Sequence, residues 1–194
     1  MSFLDLRPFG AVDASRRGFL GISGLALSGS AVALLAGRQV LAAAADKSAN
    51  PANDVAILNS AIAAEHEAIA AYGVGAGSGL LKGGVLQLAM TFQGHHKQHV
   101  EVLAGVVERL GGKAAAAKQN YSFPVETLKT QNDVLRFAAG LEKGAVSAYL
   151  GAVPLFMDRE LSKAAASILG DEAMHWAVLR GALGEDPVPA AFVS

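Results

Sequence analysis

The two halves of this 194-residue chain repeat the same spacing of polar residues within apolar segments. In each half a glutamate is followed seven residues later by a tyrosine, and then by a pair at i and i+3 that ends in histidine. The first half carries Glu65, Tyr72, His96 and His99, and the second carries Glu142, Tyr149, Glu172 and His175. The glutamate and the last histidine are 34 residues apart in the first half and 33 in the second. The repeat therefore predicts two helix pairs of the same design.

Apolar residues recur at steps of three and four in four segments, which predicts four amphipathic helices, the first of them capped by Asp54. The predicted helices cover about 54–72, 84–110, 133–153 and 160–183. The connection between the second and third helices, about 113–131, is long and contains Pro124. Two helix pairs joined in this way predict an all-α four-helix bundle with one long crossover between helices 2 and 3.

Composition limits the classes of function that the chain can have. A formal charge of -1 provides no basic surface for nucleic acid. The absence of cysteine excludes thiolate zinc sites, iron–sulfur clusters and disulfides. Any metal must therefore be held by nitrogen and oxygen donors. With 52% apolar residues, the chain has enough for the core of one domain and a separate apolar segment.

A pair of arginines stands before an apolar stretch near the N-terminus. The residues are Ser15, Arg16, Arg17, Gly18, Phe19 and Leu20, followed by small and apolar residues to about position 36 and by alanines at 42–45. This segment resembles a twin-arginine export signal with a peptidase site. The resemblance implies the twin-arginine export machinery as a partner and a periplasmic or extracytoplasmic location, with an uncleaved membrane anchor as the alternative. The predicted organisation is a signal at 1–45, a linker at 46–53, a bundle at 54–186 without a stable membrane span, and a tail at 187–194.

Six polar side chains interrupt the apolar faces of the predicted helices at equivalent depths. They are Glu65, His96, His99, Glu142, Glu172 and His175. Burying an ionised carboxylate in a bundle core costs on the order of several kcal/mol, so it requires a cation, a proton or several donors. Because residues at i and i+3 share a helix face, both pairs can point to the seam where the two remaining glutamates lie. The pattern predicts six metal ligands that meet in one layer.

The polar and aromatic residues next to these six are predicted to have other roles. His95 stands beside His96, and either of the two can face solvent or a carboxylate instead. Tyr72 and Tyr149 are predicted core residues whose hydroxyls bond to ligand carboxylates. Trp176 is predicted to contribute packing. The residues predicted to be exposed are His66, Glu67 and Glu101.

Four helices in this order, with Glu65, Glu142 and the pair from Glu172 to His175 in their positions, resemble the ferritin-like superfamily. The chain is also similar to the exported bacterial branch that contains desiccation-related proteins. The resemblance implies one glutamate from each of two helices and a Glu-x-x-His pair from each of the others, around two metal ions and no organic cofactor. His96 departs from this pattern, because the family has a bridging glutamate there. Iron is the first expectation, with manganese, zinc and copper as alternatives.

The resemblance implies a di-metal oxidoreductase of the cell envelope that acts on dioxygen or peroxide during oxidative or drying stress. Imidazole suits zinc, copper and iron better than manganese and rarely bridges two ions, so a periplasmic protein that sequesters copper or zinc without turnover is the second hypothesis. The third is a metal-free structural bundle in which hydrogen bonds of the polar residues fix the helix register. Assembly as a homo-oligomer stays open.

Overall fold

The computed structural model describes residues 51–193, and these residues form four long helices. The helices are α1 (Pro51–Gly77), α2 (Gly83–Arg109), α3 (Gln131–Ala152) and α4 (Arg159–Ala182). Short 3₁₀ turns at Val125–Thr127 and Val153–Leu155 precede α3 and α4. No strand occurs within residues 51–193, which confirms the predicted all-α four-helix fold. The predicted export signal at 1–45 and the first part of the predicted linker lie outside the described residues.

The first helix begins earlier than predicted. It starts at Pro51, so the last residues of the predicted linker belong to the helix, and Asp54 lies in the first turn rather than at the N-cap. The Asp54 carboxylate is buried and accepts hydrogen bonds from the backbone N–H groups of Met157 and Asp158, at 3.1 and 3.4 Å. Asp54 therefore ties the start of α1 to the loop before α4.

Contacts across the bundle fix the directions of the helices. The Tyr72 hydroxyl on α1 donates to Glu142 on α3, and the Tyr149 hydroxyl on α3 donates to Glu65 on α1. This reciprocal pairing requires α1 and α3 to be antiparallel. The short turn at 78–82 returns α2 alongside α1. Because α2 and α3 consequently run in the same direction, the chain between them must traverse the length of the bundle.

The crossover from 110 to 130 is anchored at both ends. At its start, the Asn59 side chain on α1 donates to the Lys113 carbonyl at 3.0 Å and accepts from the Ala115 N–H at 2.7 Å. At its end, the Thr130 hydroxyl accepts from the Asp133 N–H, and the Asp133 carboxylate accepts from the Thr130 N–H. This reciprocal capping starts α3. The predicted long crossover is therefore present and held against both α1 and α3.

Two apolar clusters fill the bundle, one on each side of a central polar region. Representative buried residues are Ile62, Val107 and Ile168 in the first cluster, and Phe92, Leu135 and Leu179 in the second. Polar groups between two such clusters must find most of their partners among themselves, because the clusters shield them from bulk water. Among the helices of residues 51–193, none combines the length and the apolar character needed to cross a membrane.

Gly112 lies against the side chains of Val55 and Val107, where the chain leaves α2. A Cβ at position 112 would be 2.7 Å from Val55 Cγ1 and 3.0 Å from Val107 Cγ1. We expect Gly112→Ala to lower the free energy of unfolding by about 1–3 kcal/mol, because both branched neighbours are already packed. Gly140 on α3 is exposed and has no atom within 4 Å of an added Cβ, so Gly140→Ala should raise that free energy by about 0.5–1 kcal/mol. Chemical denaturation measures both, and effects of the same sign would contradict this packing.

Candidate metal centre

The structure brings all six predicted ligands together in the middle of the bundle. We call them the polar layer, which consists of Glu65 from α1, His96 and His99 from α2, Glu142 from α3, and Glu172 and His175 from α4. Five of the six are at most 3% exposed. The sixth, His99, has 14% of its side chain exposed and forms the edge of the layer nearest to solvent. Charges buried to this depth must be balanced within the layer.

The polar layer contains two overlapping sets of four donor atoms. The first set comes from Glu65, His96, His99 and Glu172, and the second from His96, Glu142, Glu172 and His175. Within each set the donor atoms lie within 4.8 Å of one another. His96 and Glu172 belong to both sets, so the sets lie side by side. Carboxylate and imidazole donors at this spacing fit transition-metal ions such as iron, zinc and copper.

His96 and two tyrosines orient the carboxylates of Glu65 and Glu142. His96 Nδ1 is 2.8 Å from Glu65 Oε2, and His96 Nε2 is 3.4 Å from Glu142 Oε1. Tyr149 donates to Glu65 Oε1 at 2.6 Å, and Tyr72 donates to Glu142 Oε1. Burial raises the pKa of both tyrosines well above the usual value, so each hydroxyl stays protonated and donates.

Four polar side-chain atoms in the described part of the chain are buried without a hydrogen-bond partner. They are Glu142 Oε2, both carboxylate oxygens of Glu172, and His175 Nδ1. Imidazole nitrogens lie 3.2 to 3.6 Å from these oxygens, at ion-pair distance. Leaving a buried polar group unsatisfied costs about 1–3 kcal/mol, and more for a charged group. A bound cation would remove that cost, so the donor atoms of the polar layer fit a metal ion.

Buried carboxylates make the histidines of the polar layer unusually basic. Burial alone lowers the pKa of His96, but its hydrogen bonds to Glu142 and Glu65 outweigh burial and raise the pKa to about 11. Burial opposes ionisation of His99 and His175 too, but contacts with the glutamates raise the pKa of each to about 9. In the absence of metal, all three side chains are therefore positively charged imidazolium ions at neutral pH.

The glutamates complete this charge balance. Burial alone raises the pKa of Glu65, but hydrogen bonds from His96 and His99 outweigh it and lower the pKa to about 2. The pKa of Glu142 is lowered in the same way, against burial, by its contacts with His175 and His96. Burial raises the pKa of Glu172. In the metal-free layer, imidazolium ions therefore pair with carboxylates. An incoming metal ion has to displace protons from the imidazoles.

The sequence pattern did not single out Asp171, which contacts the outward nitrogens of two histidines in the layer. Asp171 Oδ2 lies 3.2 Å from His175 Nε2 and 3.3 Å from His99 Nε2. A carboxylate on these nitrogens leaves both inward Nδ1 atoms available for a metal. His95 Nδ1 is 3.2 Å from the same oxygen. The available signal was the i, i+4 spacing of Asp171 and His175, which places both residues on one helix face.

Other residues near the layer were predicted with mixed success. Glu67 is buried rather than exposed, on a helix against which both α2 and α3 pack. His66 is half-buried, and Glu101 is exposed as predicted. Trp176 packs against the second apolar cluster and lies beneath the charged ends of two basic side chains, Lys143 and Arg180.

Tyr149→Phe tests the hydrogen bond that orients Glu65. The change removes the 2.6 Å bond to Glu65 Oε1 and leaves a buried carboxylate oxygen without its donor. We expect the free energy of unfolding of the metal-free protein to fall by about 1–3 kcal/mol. Tyr121→Phe is the matched control, because Tyr121 lies in the crossover and its hydroxyl accepts from the Lys118 N–H. Denaturation curves that show equal losses of unfolding free energy in the two variants would contradict a role for this hydrogen bond in orienting Glu65.

The fold and the site together define a four-helix protein with a buried centre of carboxylates and imidazoles. The chain belongs to the ferritin-like domain family, whose model matches residues 53–185. Similar solved structures include the crystal structure of a conserved hypothetical protein, rv2844, from Mycobacterium tuberculosis, which is 26% identical with a TM-score of 0.61. That similarity covers 71% of this chain and 94% of the other. The search of curated proteins gave no match.

Proposed function

We propose that this ferritin-like protein binds two metal ions in the polar layer and is an exported oxidoreductase that acts on dioxygen or peroxide. The proposal depends on the two overlapping donor sets and their buried atoms without hydrogen-bond partners. Glu172 connects the sets, since its Oε1 is 3.2 Å from His99 Nδ1 and its Oε2 is 3.6 Å from His175 Nδ1. A carboxylate with one oxygen toward each set suits two ions side by side.

Each ion has its own protein ligands in this proposal. Glu65 and His99 would hold the first ion, Glu142 and His175 the second, and Glu172 would contact both. A neutral imidazole offers one lone pair, so His96 suits one ion rather than a bridge between two. Iron is the first candidate because carboxylate and imidazole donors both suit it, with manganese, zinc and copper as alternatives.

Bound ferrous ions would supply electrons for the reduction of dioxygen or peroxide. The protein's own residues set the conditions around them. Tyr72 and Tyr149 hold two carboxylates in place through protonated hydroxyls. Asp171 faces the Nε2 atoms of His99 and His175 and so keeps their Nδ1 atoms directed inward. The apolar clusters exclude water on both sides, and the partly exposed His99 edge is the side from which a small oxidant would approach.

Export is the second part of the proposal and is supported by the sequence before the bundle. Arg16 and Arg17 precede an apolar stretch in the manner of a twin-arginine signal, and that pathway transports folded proteins. A protein that folds before export can acquire its metal inside the cell. Removal of dioxygen or peroxide in the envelope would protect against oxidative or drying stress, in line with the resemblance to the desiccation-related branch. Cell fractionation should find a variant with lysine at both positions inside the cell, and envelope localisation of that variant would argue against this route.

Sequestration of copper or zinc without turnover is a second candidate, favoured by the imidazole content of the site. His96 stands where the family pattern has a glutamate, and His95 lies next to it at the edge of the bundle. Nitrogen donors raise the affinity of a site for copper and zinc relative to manganese. This candidate differs from the first in one observable, because a bound copper or zinc ion would cause no oxidant consumption.

Anaerobic loading with ferrous iron separates the two candidates. Metal-free full-length protein is loaded, excess iron is removed, and dioxygen or hydrogen peroxide is added while oxidant consumption is followed. The oxidoreductase should consume oxidant, and Glu65→Ala should abolish consumption because a ligand is lost. Glu101→Ala, a change at an exposed glutamate of α2, should behave as the wild type does. Tight copper or zinc binding by a protein whose iron-loaded form consumes no oxidant would support sequestration instead.

A further inference from the structure

A second group of donor atoms lies at the edge of the bundle, between α2 and α4. His95 Nδ1 is 2.9 Å from His175 Nε2, and Asp171 Oδ2 is 3.2 Å from each of these nitrogens. We call His95, Asp171 and His175 the edge triad. It meets solvent, because 38% of the His95 side chain and 21% of the Asp171 side chain are exposed.

The distances within the edge triad match one face of a metal coordination shell. Nitrogen and oxygen donors bind ions such as zinc at about 2.0–2.2 Å. Two donors at such distances are about 3.0 Å apart in an octahedral shell and about 3.4 Å apart in a tetrahedral one. The observed separations of 2.9 and 3.2 Å are close to these values. One ion can therefore contact all three atoms without movement of either helix.

Rigid elements position the edge triad. Asp171 and His175 are one helical turn apart on α4, so their side chains lie on the same face, and His95 approaches them from α2. The His175 ring stacks on Phe92 with 4.0 Å between ring centroids, which fixes its orientation. Donors held by packed helices are more precisely placed than donors on loops.

We propose that the edge triad binds a divalent transition-metal ion in addition to the ions of the polar layer. Two imidazoles and one carboxylate suit zinc, copper or ferrous iron, and the exposed edge supplies water for the remaining coordination positions. His175 belongs to both groups, with Nε2 toward the edge triad and Nδ1 toward the polar layer. When both groups hold an ion, His175 would release both ring protons to solvent and bind the two ions as an imidazolate, which has a lone pair on each nitrogen. An ion at the edge lies one imidazole ring from the layer, at the side where solvent reaches the protein.

Zinc titration of the metal-free full-length chain tests the edge triad. His95→Ala removes a donor of the triad and no donor from either set of the polar layer. We expect it to bind one zinc ion fewer per chain, or to weaken that ion by more than about 100-fold, because loss of a residue that merely supports a ligand already costs about 10–100-fold. His66→Ala is the matched control, since His66 is a half-buried histidine on α1 that belongs to neither group.

A double variant, Glu65→Gln with Glu142→Gln, separates the edge triad from the polar layer. Neither glutamate belongs to the triad, so the double variant should still bind one zinc ion and should lose it when His95→Ala is added. The proposal is overturned if His95→Ala binds zinc as the wild type does, or if the double variant binds none. Zinc loss in the double variant but not in His95→Ala would leave the proposed function intact and reduce the triad to a hydrogen-bonded network. Circular dichroism checks that each variant is folded.

Discussion

Glu172→Gln is expected to abolish the part of the rise in melting temperature that iron or zinc gives to the metal-free protein by binding in the polar layer. An ion that binds only the folded state stabilises it by about 4 kcal/mol at a free concentration near 1,000 times Kd. For a chain of this size, that corresponds to a rise on the order of 10 °C. Glu172 contributes to both donor sets, and an amide does not replace its charge or its two acceptor oxygens. The variant should therefore lose both ions of the polar layer.

The metal-free form of the same variant should melt within about 4 °C of the wild type. Burial raises the pKa of Glu172, and neither of its oxygens has a hydrogen-bond partner, so glutamine replaces a group that already resists ionisation. Glu101→Gln is the matched control, because Glu101 is exposed on α2. Thermal melts with and without metal measure both effects. A full metal-dependent rise in Glu172→Gln would show that Glu172 is not a ligand.

The melting temperature of the metal-free protein is expected to fall between about pH 6.5 and pH 9. His99 and His175 have a pKa raised from 6.5 to about 9, so the folded state holds their protons more tightly than the unfolded chain does. Their stabilising contribution is complete below about pH 6.5 and is lost as the pH rises through 9. His96, with its pKa raised to about 11, extends the loss to higher pH. We expect a total change of roughly 1–4 kcal/mol, which is several degrees of melting temperature.

At acid pH the dependence of stability on pH has the opposite sign, and the metal-free protein loses stability as the pH falls. Glu65 has its pKa lowered from 4.5 to about 2, so its contribution is present above about pH 4.5 and is lost as the pH falls toward 2. Metal ions change the dependence of stability on pH at alkaline pH, because deprotonated imidazoles bind metal ions better than imidazolium ions do. The difference in melting temperature between loaded and metal-free protein should therefore widen from pH 6 to pH 9. Calorimetry across this range measures it, and a metal-free protein that becomes more stable between about pH 6.5 and 9 would contradict the imidazolium network.

Helical periodicity made the fold and the six members of the polar layer predictable from the sequence. An α-helix has about 3.6 residues per turn, so Glu65 and Tyr72 lie two turns apart on one face, as Glu142 and Tyr149 do. The antiparallel packing of α1 and α3 then brings each tyrosine to the glutamate of the other helix. These relations depend on regular spacing, which the sequence displays directly.

Features that depend on the exact rotation of a helix or on distant backbone groups could not be predicted in this way. Asp54 looked like a cap for its own helix, but it binds the loop before α4, more than a hundred residues away. Glu67 looked solvated, but it is buried, on a helix against which two others pack. Asp171 is one helical turn from His175 on α4, but only the packing of α2 against α4 shows that it also meets His95. Local spacing does not determine which of the two imidazole nitrogens faces the core.

The metal content of the full-length protein, expressed with its own N-terminal segment and purified without chelator or added metal, tests the central claim most directly. We predict about two firmly held iron or manganese ions in the polar layer of each chain, and loss of both in Glu172→Gln. A single copper or zinc ion would favour sequestration. A protein that contains no metal as purified, and that still binds none after incubation with each of these ions, would contradict the metal centre and leave a structural bundle.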